Sequence, residues 1–185
     1  MTQGITVIIF KFVWGLLVFI ALLAQILFDN KSKRKADLIT NLLVITPFVV
    51  VLGLFYLRRW GGTYESTTAT QITGTVLVGL GMVGYILPHF YLRSNWSLSA
   101  SIREGHKLIK NGPYKLVRHP MYSSMTLVVF GSGFLIANYL ILLITPVVFI
   151  IYFIRARKEE ALLNEEFPEY NQYARRTKML IPGIL

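Results

Sequence analysis

Residues 121–154 read MYSSMTLVVFGSGFLIANYLILLITPVVFIIYFI, without one Asp, Glu, Lys, Arg or His. As a single helix this run would extend about 51 Å, against a hydrocarbon core of about 30 Å. It therefore predicts two helices rather than one. Asn138-Tyr139 is the best turn, Gly131 and Gly133 loosen the approach to it, and Pro146 lies inside the second half. Each half is short for a full span, which tilt or local thinning of the bilayer accommodates. The alternative is one long, strongly tilted helix.

Three more apolar segments precede it. Ile5–Phe28 carries only Lys11, which can snorkel to the interface. This segment is too long for the core of a signal peptide and lacks a basic start, so it reads as a retained helix. Leu38–Leu57 contains Pro47, which predicts a kink. Gln71–Phe90 contains Gly74, Gly79, Gly81 and Gly84, small residues that let a neighbouring helix approach closely. The expected fold is an all-α integral membrane protein with five transmembrane helices plus short cytoplasmic C-terminal helices. Residues 1–90 form three spans. Residues 91–185 form a loop, a helical hairpin of two spans and a tail, all in one membrane domain.

Composition agrees. Of 185 residues, 54% are hydrophobic and 15% charged, where soluble domains carry about 25% charged residues. Such a chain neither stays disordered nor covers a soluble surface. The lack of cysteine excludes disulfides, thiolate catalysis, iron–sulfur clusters and cysteine zinc sites. The net charge of +10 is unevenly placed. The first loop, the third loop and the tail hold sixteen Lys and Arg, and the second and fourth loops hold two. The positive-inside rule then puts the N-terminus outside and the C-terminus in the cytoplasm. Topology accounts for the basic residues, so no nucleic-acid partner is expected.

Beyond Ile154 the tail reads as a helix with an apolar patch at Ala161, Leu162 and Leu163, ending near Phe167 before Pro168. A second short helix over 169–177 would put Tyr170 and Tyr173 on one face.

Polar residues gather on the expected cytoplasmic side. Gly112-Pro113 reads as a tight turn or as backbone approaching a ligand, and Asn111-Gly112 equally suits a hairpin. Arg118-His119-Pro120, with Tyr122, reads as an interfacial anchor. Arg155 and Glu159 share a helix face. As an exposed ion pair they would contribute about 0.3–0.5 kcal/mol. An ionisable group directly after an apolar run is also a functional candidate. Glu160 lies on a neighbouring face. His89, His106 and His119 are scattered and no HExxH occurs, so no metal site is expected. Gly79-Leu80-Gly81-Met82-Val83-Gly84 matches GxGxxG formally, but it sits inside an apolar span with no βαβ unit around it.

These motifs together resemble the isoprenylcysteine carboxyl methyltransferase family. They are Gly105-His106-Lys107-Leu108-Ile109, Gly112-Pro113-Tyr114, Arg118-His119-Pro120-Met121-Tyr122 and Glu159-Glu160, continuing through Phe167, Tyr170 and Tyr173. The resemblance covers roughly residues 92–182 and extends to the phospholipid methyltransferase superfamily. The short chain is similar to the five-span prokaryotic form, which implies a prokaryotic inner membrane. The resemblance implies S-adenosyl-L-methionine as methyl donor and a lipid-like or prenylated acceptor among membrane lipids. It assigns His106, Lys107, Leu108, Tyr114, His119, Pro120, Tyr122, Glu159 and Glu160 to the cofactor, and Arg155 with Glu159 to catalysis, Arg155 orienting the acceptor. A phospholipid or amine N-methyltransferase is the alternative within this superfamily. A membrane reductase using NADPH, with Arg118 or Lys110 on the phosphate, is another. A transporter or scaffold is disfavoured because no span carries a charge near mid-bilayer.

Overall fold

The computed structural model describes residues 62–92 and 107–185, together with Ile8, Phe12, Trp14, Gly15 and Gly53. The two expected spans within residues 5–57 lie almost wholly outside the described residues.

Helix α1 runs Thr68–Leu92. Thr67 and Thr70 begin it by exchanging bonds: Thr70 N donates to Thr67 Oγ1 at 3.2 Å, and Thr67 N donates to Thr70 Oγ1 at 3.0 Å. This is a capping box with threonine in place of the usual Glu or Gln. Helix α2 runs Pro120–Leu135, and its first residue is the proline that helix starts favour. Helix α3 runs Tyr139–Glu166 and helix α4 Tyr170–Arg176. Among the described residues there is no strand, only two isolated bridges, Thr63 with Asn138 and Val117 with Lys178.

The apolar run of residues 121–154 does break into two helices, at the expected turn. Asn138 ends the turn and caps α3, its Oδ1 accepting from Leu140 N at 3.0 Å and Ile141 N at 3.3 Å. Ala137 before it takes a positive φ of 51°. The segment leading into α1 seals this turn, for Tyr139 N donates to Gly62 O at 2.8 Å and Tyr64 N to Ala137 O at 3.0 Å. Two helices are long and apolar enough to cross a membrane, α1 and α3. At 16 residues, α2 is about 24 Å long and falls short of a full core.

Backbones of α1 and α2 approach closely through glycine. A Cβ on Gly74 would meet Gly131 O at 2.9 Å, and one on Gly81 would meet Val128 Cγ2 at 2.7 Å. From the other side, a Cβ on Gly131 would meet Val78 N at 2.9 Å. At Gly79, also expected to serve this contact, a Cβ would meet nothing within 4 Å among the described residues. The core between the helices holds Val78, Tyr85, Met125, Val128, Val129, Ile141, Val148 and Tyr152, joined by Trp14. Trp14 Nε1 donates to Ser132 Oγ at 3.1 Å. Ile72, Val76, Leu80, Val83 and Leu87 on α1, and Leu143, Val147 and Ile150 on α3, are exposed within the described residues. Such apolar faces suit hydrocarbon.

One expectation is corrected. The helix expected directly after Ile154 is not a separate one, because α3 continues without a break to Glu166. No proline or glycine interrupts residues 147–167, so nothing stops the helix where its composition turns polar. The span thus delivers Arg155, Glu159 and Glu160 on one rigid rod. It ends at Phe167 with Pro168 following, as the sequence indicates.

Candidate functional site

A 3-10 turn over Gly112–Lys115 opens the site. Gly112 has φ +60°, and a side chain there would collide with the ring of Tyr91 on α1. The turn is the tight one that Gly112-Pro113 suggested and not the hairpin that suited Asn111-Gly112. It buries Tyr114 and presents that residue's carbonyl to Tyr173 on α4, whose hydroxyl donates to it at 2.7 Å.

Residues 117–119 then run beside the chain's tail. Val117 bridges Lys178 in parallel, Arg118 N donates to Lys178 O at 2.8 Å, and His119 N donates to Met179 O at 3.0 Å. This pairing ties the backbone that enters α2 to the tail.

The functional side chains meet where α2 begins and the apolar part of α3 ends. The His119 ring lies between two carboxylates, with Nδ1 3.4 Å from Glu159 Oε2 and Nε2 3.4 Å from Glu160 Oε1. Tyr122 donates to Glu159 Oε1 at 2.5 Å and accepts from Arg155 Nε at 2.5 Å. Arg155 Nε is also 3.3 Å from Glu159 Oε1. On the far side Arg118 Nε donates to Glu160 Oε1 at 2.5 Å. Rings of His119, Tyr122 and Tyr152 stack in a column, with centroids 5.6 and 5.1 Å apart and planes within 11° and 9°.

Burial changes what these contacts are worth. Arg155 is 1% exposed, so the Arg155–Glu159 pair is not the exposed surface pair considered from spacing alone. A buried pair costs desolvation to form, but losing one partner strands the other charge. Burial opposes charge on His119. The carboxylates of Glu159 and Glu160 more than offset that, and its pKa stands above the ordinary value near 6.5. Burial also pushes the Tyr114 hydroxyl up, with the Glu159 charge adding to it. Tyr114 Oη is buried and has no hydrogen-bond partner among the described residues.

The expected site residues divide clearly. Tyr114, His119, Pro120, Tyr122, Arg155, Glu159 and Glu160 converge on this cluster. Lys107 and Leu108 lead into the 3-10 turn, the first exposed and the second half-buried. His106 lies outside the described residues. Sequence reasoning missed the place of Arg118, Tyr152 and residues 178–180 in the cluster. Arg118 could have been suspected from its position beside His119. Nothing in the spacing of the tail announces its pairing with residues 117–119.

Such an arrangement can do three things chemically. Two carboxylates can hold a cation. His119 between them can take up or release a proton. Arg155, held by Tyr122 and Glu159, places a positive charge where the apolar part of α3 ends. The guanidinium of Arg118 is already engaged by Glu160, by Ala174 O at 2.9 Å and by Thr177 O, and Lys110 lies 3.9 Å from Glu169. Arg118, one of the two candidates for a nicotinamide phosphate, is thus committed elsewhere, whereas Lys110 makes only a long contact between exposed side chains. His119, Glu159 and Glu160 meet, but with the carboxylates on opposite ring nitrogens, and among the described residues no group of three His, Asp or Glu is arranged to hold a metal ion.

Residues 69–170 match the model of a family described as phospholipid methyltransferase. Two curated proteins are also similar. The chain is 31% identical over 142 residues to the cobalt-zinc-cadmium resistance protein CzcN of Cupriavidus metallidurans. It is 27% identical over 142 residues to the nickel-cobalt-cadmium resistance protein NccN of Alcaligenes xylosoxydans xylosoxydans. Each match covers 76% of this chain and 62% of the relative, so the chain spans less than two thirds of the matched proteins' length.

Proposed function

The chain belongs to the phospholipid methyltransferase family, a family of membrane methyltransferases, and from that premise we propose that it transfers a methyl group from S-adenosyl-L-methionine to a lipid-like acceptor at the cytoplasmic face of the membrane. One observation carries the reading: His119, Glu159 and Glu160 meet, with Arg155 and Tyr122, where the apolar part of α3 ends. A water-soluble donor reaches that point from the cytoplasm, and an acceptor with an apolar tail reaches it from the bilayer.

The residues fit the donor. Glu159 and Glu160, each already paired with an arginine, would share their negative charge with a cation, and the buried Tyr114 hydroxyl near Glu159 has no hydrogen-bond partner among the described residues. When bound, S-adenosyl-L-methionine supplies an electrophilic methyl carbon on a positively charged sulfur. The protein's part is positioning, since in-line transfer depends on alignment of the reacting atoms.

The finer reading is an isoprenylcysteine-type carboxylate acceptor. A carboxylate is ionised near neutral pH and attacks without a base. One oxygen–carbon bond forms as the carbon–sulfur bond breaks, the bonding pair stays on sulfur, and no proton moves. Arg155 then orients the acceptor carboxylate. The His119–Glu159 contact supports a second reading, an amine acceptor. There the nitrogen sheds a proton after attack, and this pair is placed to take it. Neutralising or adding charge on a lipid alters the potential that gathers cations at a membrane surface. That offers one link to the metal resistance named for the relatives.

The test is transfer of labelled methyl from the donor by the protein in vesicles, with a prenylated cysteine or an aminolipid as acceptor. Label released as methanol by mild base identifies an ester, and base-stable label identifies an N-methyl product. No transfer to either acceptor, with donor bound, would reject both acceptor classes.

A further inference from the structure

We propose that the tail segment 177–180 is a strap for the site, with Arg118 as its pin, holding His119 in place between Glu159 and Glu160. Three observations on different atoms carry this.

First, the two amides just before α2 are paired to the tail. The amide hydrogens of Arg118 and His119 both donate to tail carbonyls, Lys178 O and Met179 O. Ser123, one turn into α2, donates its hydroxyl to Leu180 O at 2.5 Å. Three successive tail carbonyls therefore grip the start of the helix that carries His119 and Tyr122.

Second, the Arg118 guanidinium joins three elements at once. Its Nε donates to Glu160 on α3, and its Nη1 donates to Ala174 O at the end of α4 and to Thr177 O where the tail begins. A planar fork with donors in fixed directions suits this task, and a lysine ammonium does not reproduce it.

Third, the strap is anchored by burial. Leu180 is 1% exposed and Met179 6%, and both pack with Ala156, one residue beyond Arg155 on α3. Releasing the tail thus exposes apolar surface on the same helix turn that carries the buried arginine.

Arg118 and residues 178–180 are positioning elements in this account. Their target is His119, which is faced by Glu159 and Glu160 from α3 and by Tyr122 from α2, with Arg118 reaching it through Glu160. The consequence for methyl transfer rests on the proposed function. The effect on His119 does not, and this separates the two in experiment.

The experiment follows the imidazole titration of His119 by NMR, in the full chain in detergent with labelled histidine and no donor. The chain has three histidines, so a His119→Asn sample assigns the signal. Leu180→Ala loosens the strap and changes no charge. The proposal expects the His119 midpoint to fall by about half a pH unit or more towards its ordinary value, with the signals of His89 and His106 unmoved. Should Leu180→Ala not fold, Ser123→Ala removes one strap bond and carries the same expectation. Arg118→Gln adds a test of sign. If Arg118 pins Glu160 beside His119, its loss lowers the midpoint. If it only neutralises Glu160, its loss raises the midpoint. An unmoved midpoint in folded Leu180→Ala, or a raised one in Arg118→Gln, overturns the proposal. A chain that shows the strap but binds no donor keeps this inference and loses the reaction assigned above.

Discussion

Glu159 touches three partners at once: His119, Tyr122 and the buried Arg155. Replacing it by Gln removes the charge that Arg155 was buried against. We expect a loss of stability of about 3 kcal/mol, read as an earlier unfolding transition in detergent. At His119 the direction of pH dependence follows from its raised pKa. A group with a raised pKa in the folded protein stabilises it fully below the unfolded value, near 6.5. That contribution is lost as pH rises through the higher folded value. The unfolding transition should therefore move to lower temperature across this interval, and His119→Gln should flatten the change. Spacing singled out Arg155 with Glu159, and the family resemblance pointed to Tyr114, His119, Tyr122 and Glu160. They were silent on burial. The Arg155–Glu159 spacing suits an exposed pair and a buried one equally well, and only the packing of Ala156, Tyr152 and Tyr122 around it decides.

Among the elements, the contact between α1 and α2 depends on glycine at particular positions. Gly74→Ala places a methyl against the backbone of Leu135 and Gly131 O, which should cost about 1–3 kcal/mol. Gly79→Ala meets nothing within 4 Å among the described residues, and it should be neutral or stabilise by up to about 1 kcal/mol through helix propensity. Parallel unfolding of the two variants in detergent gives the comparison, and equal losses would contradict the observed packing. Hydropathy revealed that small residues recur in this helix, but not which of them face a neighbour. Periodicity is ambiguous in a helix that is apolar on all sides. The break at Asn138 was legible because length alone forbade one helix and Asn138 is a good cap. The continuity of α3 through Ile154 was not, because a change of composition is not a helix stop. The tail's pairing with residues 117–119 joins positions about sixty apart in sequence, and no local pattern encodes it.

For the whole molecule, α1 and α3 are apolar enough to cross a bilayer, and the family is one of membrane methyltransferases. The distribution of Lys and Arg expects the site on the cytoplasmic side. Single cysteines introduced into this cysteine-free chain test that directly. A cysteine at Lys110 should resist an impermeant reagent added outside intact cells and react once the membrane is opened. The central claim is that Glu159, Glu160 and Tyr114 bind the methyl donor. The most direct measurement is calorimetry of S-adenosyl-L-methionine with the full chain in detergent, NADPH serving as the comparison ligand. Saturable binding of the donor, weakened about tenfold or more in Glu160→Gln (~1.4 kcal/mol), and none of NADPH, is the expected result. Binding of NADPH without the donor, or donor binding indifferent to Glu160→Gln, would contradict it.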